Sequence, residues 1–261
     1  MELLTMLTSP PVKVFVFDLD GTIYKGNTII DGAADLIRVI ADKGIRIVYF
    51  TNSSSRTREQ VLDKLGRMGL VTSLNEVYTS AYATAVYATE KLFTNVYCIG
   101  TDGLKREFEA VGIGMTKDVS SADALIIGLD PEFDYSKLAE IMPFRDSACP
   151  IIACNRDRHY PVEDGICLPG CGPIVAAVED ALGRKVNYVT GKPSTYILGL
   201  LATDWNYINS DIIIVGDSYE SDIQMAKRYG CRSFLISTDS NRYINETTVV
   251  QKIGDIGQYL T

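Results

Sequence analysis

The feature that most constrains this chain is a repeated alternation between short apolar runs and segments with helical periodicity. Residues 12–18 (VKVFVFD) read as a buried strand. Ala33, Leu36, Ile37 and Ile40 then recur at helical spacing, and Gly44 supplies a stop. Residues 45–51 (IRIVYFT) form a second strand-like run, followed by a capping-box pair, Thr57 and Gln60, and a helical face of Val61, Leu62, Leu65 and Met68 that ends at Gly69. Further strand runs lie at 96–99, 124–129, 150–154, 186–190, 211–216 and 232–236, with helical patterns between most of them. One of these helices is expected to start near Pro173 and to stop at Gly183. Such alternation predicts an α/β fold with parallel sheets and crossover helices.

In open parallel sheets, ligands bind beyond the carboxyl ends of the strands. The polar residues that follow the predicted strands are therefore candidates for function. Asp18 and Asp20 follow the first, and Thr51, Asn52 and Ser53 follow the second. Lys192 follows the run at 186–190, and Asp217 and Asp222 follow the run at 211–216. The expectation is that all of them meet at one sheet edge.

Their chemistry is specific. In FDLDGT two carboxylates stand two residues apart, so they leave a strand end in roughly the same direction, and Gly21 permits a sharp turn. A carboxylate held against phosphorus, with a cation neutralising charge, forms an aspartyl-phosphate. A second carboxylate protonates the leaving oxygen and later deprotonates water. Asp18 suits the first role and Asp20 the second. Asp217 and Asp18 offer hard oxygen ligands of the kind magnesium prefers, with Asp222 in support. Thr51, Asn52 and Ser53 offer hydroxyls, an amide and backbone N–H groups just before a helix, a reasonable phosphate cradle. Lys192, between a strand and Pro193, can hold phosphate oxygens as a point charge. Each segment alone also reads as an ordinary cap or turn; four of them in order at strand ends do not.

Composition narrows the function classes. The net charge of −8 over 261 residues makes nucleic acid a poor partner. No apolar run approaches the length of a membrane span, and the first eleven residues carry no basic region followed by a long apolar run, so a cytoplasmic protein with no membrane partner is expected. The six cysteines form no C-x-x-C pair and the only histidine is His159, which fits reduced thiols better than a zinc site.

Taken together, FDLDGT, TNS, GKPS and GDSYESDI resemble the four motifs of the haloacid dehalogenase superfamily, and their order and spacing are similar to its NagD-like, p-nitrophenyl phosphatase branch. The likeness spans essentially the whole chain. It implies a doubly wound, Rossmann-like core (1–79 and 175–261) with an inserted α/β cap (80–174). It implies Asp18 as nucleophile and Asp20 as acid/base. Mg2+ would sit on Asp18, Asp217 and the Asp20 backbone carbonyl, with Asp222 nearby, and phosphate on Thr51, Asn52, Ser53 and Lys192. The chain departs from the branch after Gly216–Asp217, where Ser218, Tyr219, Glu220 and Ser221 replace a bulkier or basic residue followed by threonine; both acids remain.

An inserted cap can close over substrate and select the leaving group. The polar run Asn155–His159 is expected to supply substrate contacts, with Asp157 and His159 foremost. The resulting expectation is a phosphatase acting on small phosphate monoesters of nucleotide, sugar phosphate, phosphoglycolate or p-nitrophenyl phosphate type. A homodimer through the cap is its anticipated assembly. The competing readings are a dehalogenase, which has no need of the acid at Asp20, and a non-catalytic phosphometabolite sensor on the same fold.

Overall fold

The computed structural model describes residues 11–161, 166–239 and 246–260. Its core sheet has six parallel strands: β1 (Val14–Asp18), β4 (Arg46–Thr51), β5 (Val77–Thr79), β13 (Ile212–Gly216), β14 (Arg232–Ile236) and β15 (Thr248–Val250), in the spatial order β15-β14-β13-β1-β4-β5. The early part of the chain builds outward from β1 on one side, and the late part builds outward from β13 on the other. The gap between β1 and β13 is thus the topological switch point, where strand ends diverge and leave a crevice. All five residues of β1 are buried, which explains its uninterrupted apolar run.

Helices cover both faces. α1 (Ala33–Asp42) and α2 (Arg58–Arg67) place Ile37, Ile40, Val61 and Leu65 against Phe15, Phe17 and Tyr49. On the other face α7 (Tyr196–Trp205) and α8 (Gln224–Tyr229) bring Ile197, Leu201 and Met225 against Val14, Val48 and Ile214. The capping box at the start of α2 is present: the Thr57 hydroxyl accepts from the Gln60 N–H, and the Gln60 side chain accepts from the Thr57 N–H. A short hairpin, β2 (Tyr24–Lys25) and β3 (Thr28–Ile29), follows β1.

The second sheet has five parallel strands: β6 (Asn95–Ile99), β7 (Gly114–Met115), β8 (Ala124–Ile127), β9 (Ile151–Ala153) and β12 (Tyr188–Val189), ordered β12-β9-β8-β6-β7. The hairpin β10 (His159–Pro161) and β11 (Cys167–Pro169) projects from it. α3 (Ser80–Glu90) joins the two units and is buried on two sides, with Ala83 against the core cluster and Ala81, Ala85 and Ala88 against the cap. α4 (Asp102–Ala110) covers that same face of the cap sheet, and α6 (Cys171–Leu182) covers the other; α5 (Tyr135–Glu140) adds a short turn beside α6.

Two expectations need correction. The boundary at 174 cuts too early: α6 packs its Val175, Val178 and Leu182 into the cap core, and β12 pairs with β9, so the inserted unit runs on to Val189. A run such as 186–190 has the same apolar content whichever sheet it joins, so only pairing decides. The helix with Pro173 begins two residues earlier, at Cys171, and ends at Gly183 in the left-handed conformation as expected. The edge strands β5 and β15, three residues each, carry too little pattern to be seen beforehand.

Candidate active site

The carboxyl edges of the two sheets face one another, and the loop after β4 lies between them. From the core, β1 delivers Asp18, β4 delivers Thr51 and β13 delivers Asp217. From the cap, the residues following its strands reach toward that loop. The Thr101 hydroxyl donates to the Ser55 carbonyl at 2.8 Å, the Leu129 N–H donates to the Ser54 hydroxyl at 2.9 Å, and the Asn155 amide donates to the Asn52 carbonyl at 2.7 Å. The buried Glu107 of α4 accepts from the Arg58 N–H at 2.6 Å, at the start of α2. The candidate phosphate loop is therefore held from the cap side as well as by its own strand.

Lys192 is the centre of the charged cluster. It follows β12, so it arrives from the cap sheet and not from the core edge where the sequence placed it. Its ammonium donates to Asp18 Oδ1 at 2.5 Å and to Asp222 Oδ1 at 2.6 Å, with only 3% of the side chain exposed. Burial works against that cation, but the charges of Asp18 and Asp222 outweigh it and raise its pKa. Its backbone is fixed too: the Lys192 N–H donates to Asn52 Oδ1 at 2.8 Å, and the Asn52 amide donates to the Lys192 carbonyl at 3.1 Å. The Lys192–Pro193 peptide is cis.

Asp18, Asp217 and Asp222 each place a carboxylate oxygen within 4.8 Å of the others'. Asp18 and Asp222 are buried and Asp217 is exposed at the mouth. Burial raises the Asp18 pKa well above the usual range, with Lys192 opposing and the other two acids adding to the rise. The Asp217 pKa is pushed up to about 6, first by desolvation and then by the charge of Asp222. Three acids against one lysine leave an excess of negative charge in a confined space. Hard, clustered oxygens with uncompensated charge are what a small divalent cation requires. The turn at Gly21 reinforces the fit: its φ is +95°, and a Cβ there would lie 2.1 Å from Asp217 Oδ2. A residue other than glycine would push that carboxylate out of the cluster. Asp222 is further committed by the Ser218 N–H, which donates to its other oxygen at 3.2 Å.

Asp20 stands beside this cluster. Its pKa is raised by burial, opposed chiefly by the positive charges of Lys64 and Arg56. The Thr51 hydroxyl is buried and accepts from the Ser53 N–H at 3.0 Å. Asp157, after β9, accepts from the Asn52 amide at 3.0 Å and so joins the site from the cap. His159 begins the β10 strand and is exposed. Sequence reasoning placed Asn155 in a substrate-contact run without foreseeing its bond to the phosphate loop, and it missed Ser80, Tyr24 and Lys64. The Ser80 hydroxyl donates to the Asn52 carbonyl at 2.8 Å, a contact no spacing announces. Lys64 did leave a signal: it lies three residues after Val61 on the apolar face of α2, where a leucine would be ordinary.

Comparison with known proteins agrees with this geometry. The family described as haloacid dehalogenase-like hydrolase matches residues 15–114, and a HAD-hydrolase-like family matches residues 189–254. The chain is 33% identical to the sugar-phosphatase AraL of Bacillus subtilis, over 86% of this chain and 83% of that protein. It is 37% identical to an acid sugar phosphatase of Staphylococcus saprophyticus, over 81% of each. Among solved structures it is similar to the p-nitrophenyl phosphatase from Archaeoglobus fulgidus, with a TM-score of 0.87 at 27% identity over 95% of this chain and 99% of that one. NagD from E. coli K-12 superposes with a TM-score of 0.83 at 26% identity, covering 94% of this chain and 98% of that one. With the carboxylates on β1 and β13, the lysine between them and an α/β cap facing the same strand ends, the chain belongs to the haloacid dehalogenase-like hydrolase family, in its NagD-like branch.

Proposed function

We infer that this chain is a phosphoric monoester hydrolase that uses Asp18 as nucleophile, Asp20 as acid/base and Mg2+ as cofactor. The observation that carries the reading is the buried Lys192 held between Asp18 and Asp222, with Asp217 completing the acid cluster at the switch point of the sheet. Asp18, Asp217 and the Asp20 backbone carbonyl would hold the magnesium, with Asp222 fixing Lys192 beside it. The ion supplies a counter-charge that draws the phosphate oxygens and the Asp18 carboxylate together.

The residues of the chain account for the remaining chemistry. Asp18 attacks phosphorus through a carboxylate oxygen, and the bond from phosphorus to the ester oxygen breaks. That oxygen leaves with the Asp20 proton as an alcohol. Asp20, now a carboxylate, takes a proton from water as the water oxygen attacks phosphorus. The acyl phosphate bond breaks, Asp18 returns as a carboxylate, and inorganic phosphate departs. Burial raises the Asp20 pKa, the direction that an acid in the first half of this cycle needs. Lys192, the Asn52 backbone N–H and the Thr51 and Ser53 groups would bind the transferring oxygens, while the Asn52 side chain, bonded to Asp157 and to the Lys192 backbone, holds the loop in place.

The names of the two sugar phosphatases favour a sugar phosphate as substrate. Asp157, which accepts from the Asn52 amide, and His159, at the start of the cap hairpin, are the side chains we propose for hydroxyl contacts. Ala substitution of both is expected to raise KM for the preferred sugar phosphate by about tenfold or more while changing p-nitrophenyl phosphate hydrolysis by less than about threefold. Equal effects on the two esters would place these residues outside substrate selection. The reaction class itself is tested with purified protein and p-nitrophenyl phosphate. Turnover is expected with magnesium, with loss of at least about 100-fold in chelator and recovery on adding the metal back. Turnover that persists in chelator would exclude the metal from the reaction.

A further inference from the structure

Two residues outside the four motifs surround the acid Asp20 in a way that general packing does not require. Tyr24 lies in the tight turn that follows β1: its carbonyl accepts from the Gly21 N–H at 2.8 Å, its N–H donates to the Leu19 carbonyl at 3.1 Å, and its backbone bridges Asp20. Its ring is 2% exposed and its hydroxyl donates to Asp20 Oδ2 at 3.3 Å. Over that ring sits the Lys64 ammonium, 3.5 Å from the centroid. Lys64 is only 7% exposed, on the buried face of α2 beside Val61 and Leu65. A lysine desolvated on an apolar helix face is costly unless something nearby stabilises the charge. The Tyr24 ring face does so directly, and the negative charge of Asp20 does so at longer range.

We propose that Tyr24 and Lys64 are a positioning pair for Asp20, with Lys64 clamping the Tyr24 ring so that its hydroxyl holds the Asp20 carboxyl toward the leaving oxygen. The pair acts through Asp20 and touches neither phosphate nor metal. Two further facts support it. The turn joining Asp20 to Tyr24 is closed by backbone hydrogen bonds, so the hydroxyl cannot swing far from the carboxyl. Lys64 comes from α2, which begins just after the phosphate loop, so the helix that follows the cradle also locates the acid. The inference rests on the phosphatase reading above.

The leaving group provides the test. A p-nitrophenolate departs without a proton, whereas an alkoxide must be protonated as the bond breaks. The quantity kcat/KM stops at the first irreversible step, so it reports the acid role and not the later water attack. Tyr24→Phe and Lys64→Met are each expected to lower kcat/KM on a panel of sugar and glycerol phosphates by about tenfold more than on p-nitrophenyl phosphate. Lys64→Arg, which keeps a cation over the ring, should recover the alkyl activity to within about threefold of wild type. Asp20→Asn fixes the direction and scale of the leaving-group effect.

Losses of equal proportion on both ester classes, or no loss on either, would overturn the positioning role. So would a wild-type enzyme active on p-nitrophenyl phosphate and on no alkyl ester. If Lys64→Met does not fold, Tyr24→Phe, which removes a single oxygen, decides the matter alone. A wild-type protein that hydrolyses neither class would instead overturn the phosphatase reading.

Discussion

Asp18→Asn is expected to abolish steady-state hydrolysis of p-nitrophenyl phosphate, lowering kcat by at least about 10⁴-fold, while leaving the protein folded. The amide has nearly the shape of the carboxylate, and its oxygen can still accept from Lys192, which is 2.5 Å from Asp18 Oδ1. It cannot form the acyl phosphate. The check has two parts. One is kcat with magnesium, beside a thermal unfolding curve of the same preparation. The other is acid quench of wild type and variant with labelled substrate, where only the wild type should carry label on protein. A loss of merely tenfold, or label retained in the variant, would show that phosphate transfers elsewhere.

Removing Lys192 should be nearly as damaging and should also reveal what the lysine does for the fold. Lys192→Met keeps the length of the side chain but deletes the cation between two buried carboxylates. Loss of the point charge on the transferring oxygens is expected to lower kcat/KM by about 10³-fold. Loss of the ion pairs, measured in chelator, is expected to lower stability by about 3 kcal/mol near neutral pH. The pH dependence follows from the sign of the Asp18 shift. Burial and the neighbouring acids already raise that pKa, and Lys192 is the main opposing charge. Without it the folded-state pKa rises further above the unfolded value. A raised carboxyl contributes stability below its unfolded pKa and loses it as pH climbs through the folded pKa. The variant should therefore fall further behind wild type as pH is raised from about 5 to about 8, and magnesium should restore part of the difference. A destabilisation independent of pH would mean that these acids do not depend on Lys192 for charge compensation.

The two experiments probe different halves of one arrangement. Asp18→Asn tests the proposed covalent step, and Lys192→Met tests the electrostatic frame around that buried carboxylate. An idle cluster of three acids and a lysine would be a poor use of the sheet's switch point, because a well-packed apolar core costs less.

The sequence by itself determined the reaction class and pointed to most of the polar residues that the fold gathers at the switch point. Asp18, Thr51 and Asp217 follow uninterrupted apolar runs, and a strand of a parallel sheet buried on both faces must be apolar throughout, so the ends of those runs mark the functional edge. The Thr57–Gln60 capping box was readable because its partners lie three residues apart. The likeness of four short motifs to one family carried the remainder.

Only the tertiary structure decided which sheet each strand joins and what lies beside each acid. The run at 186–190 reads the same in either sheet; its pairing with Ile152 and Ala153 places it in the cap and brings Lys192 to the site from the opposite side. Tyr24 and Lys64 are separated by forty positions of chain and meet only because α2 packs against the turn after β1. Periodicity reports which face of an element is apolar, a property of neighbours along the chain. Which buried polar groups end up in contact depends on pairing and packing between distant segments, and on the need of each buried charge to find a partner.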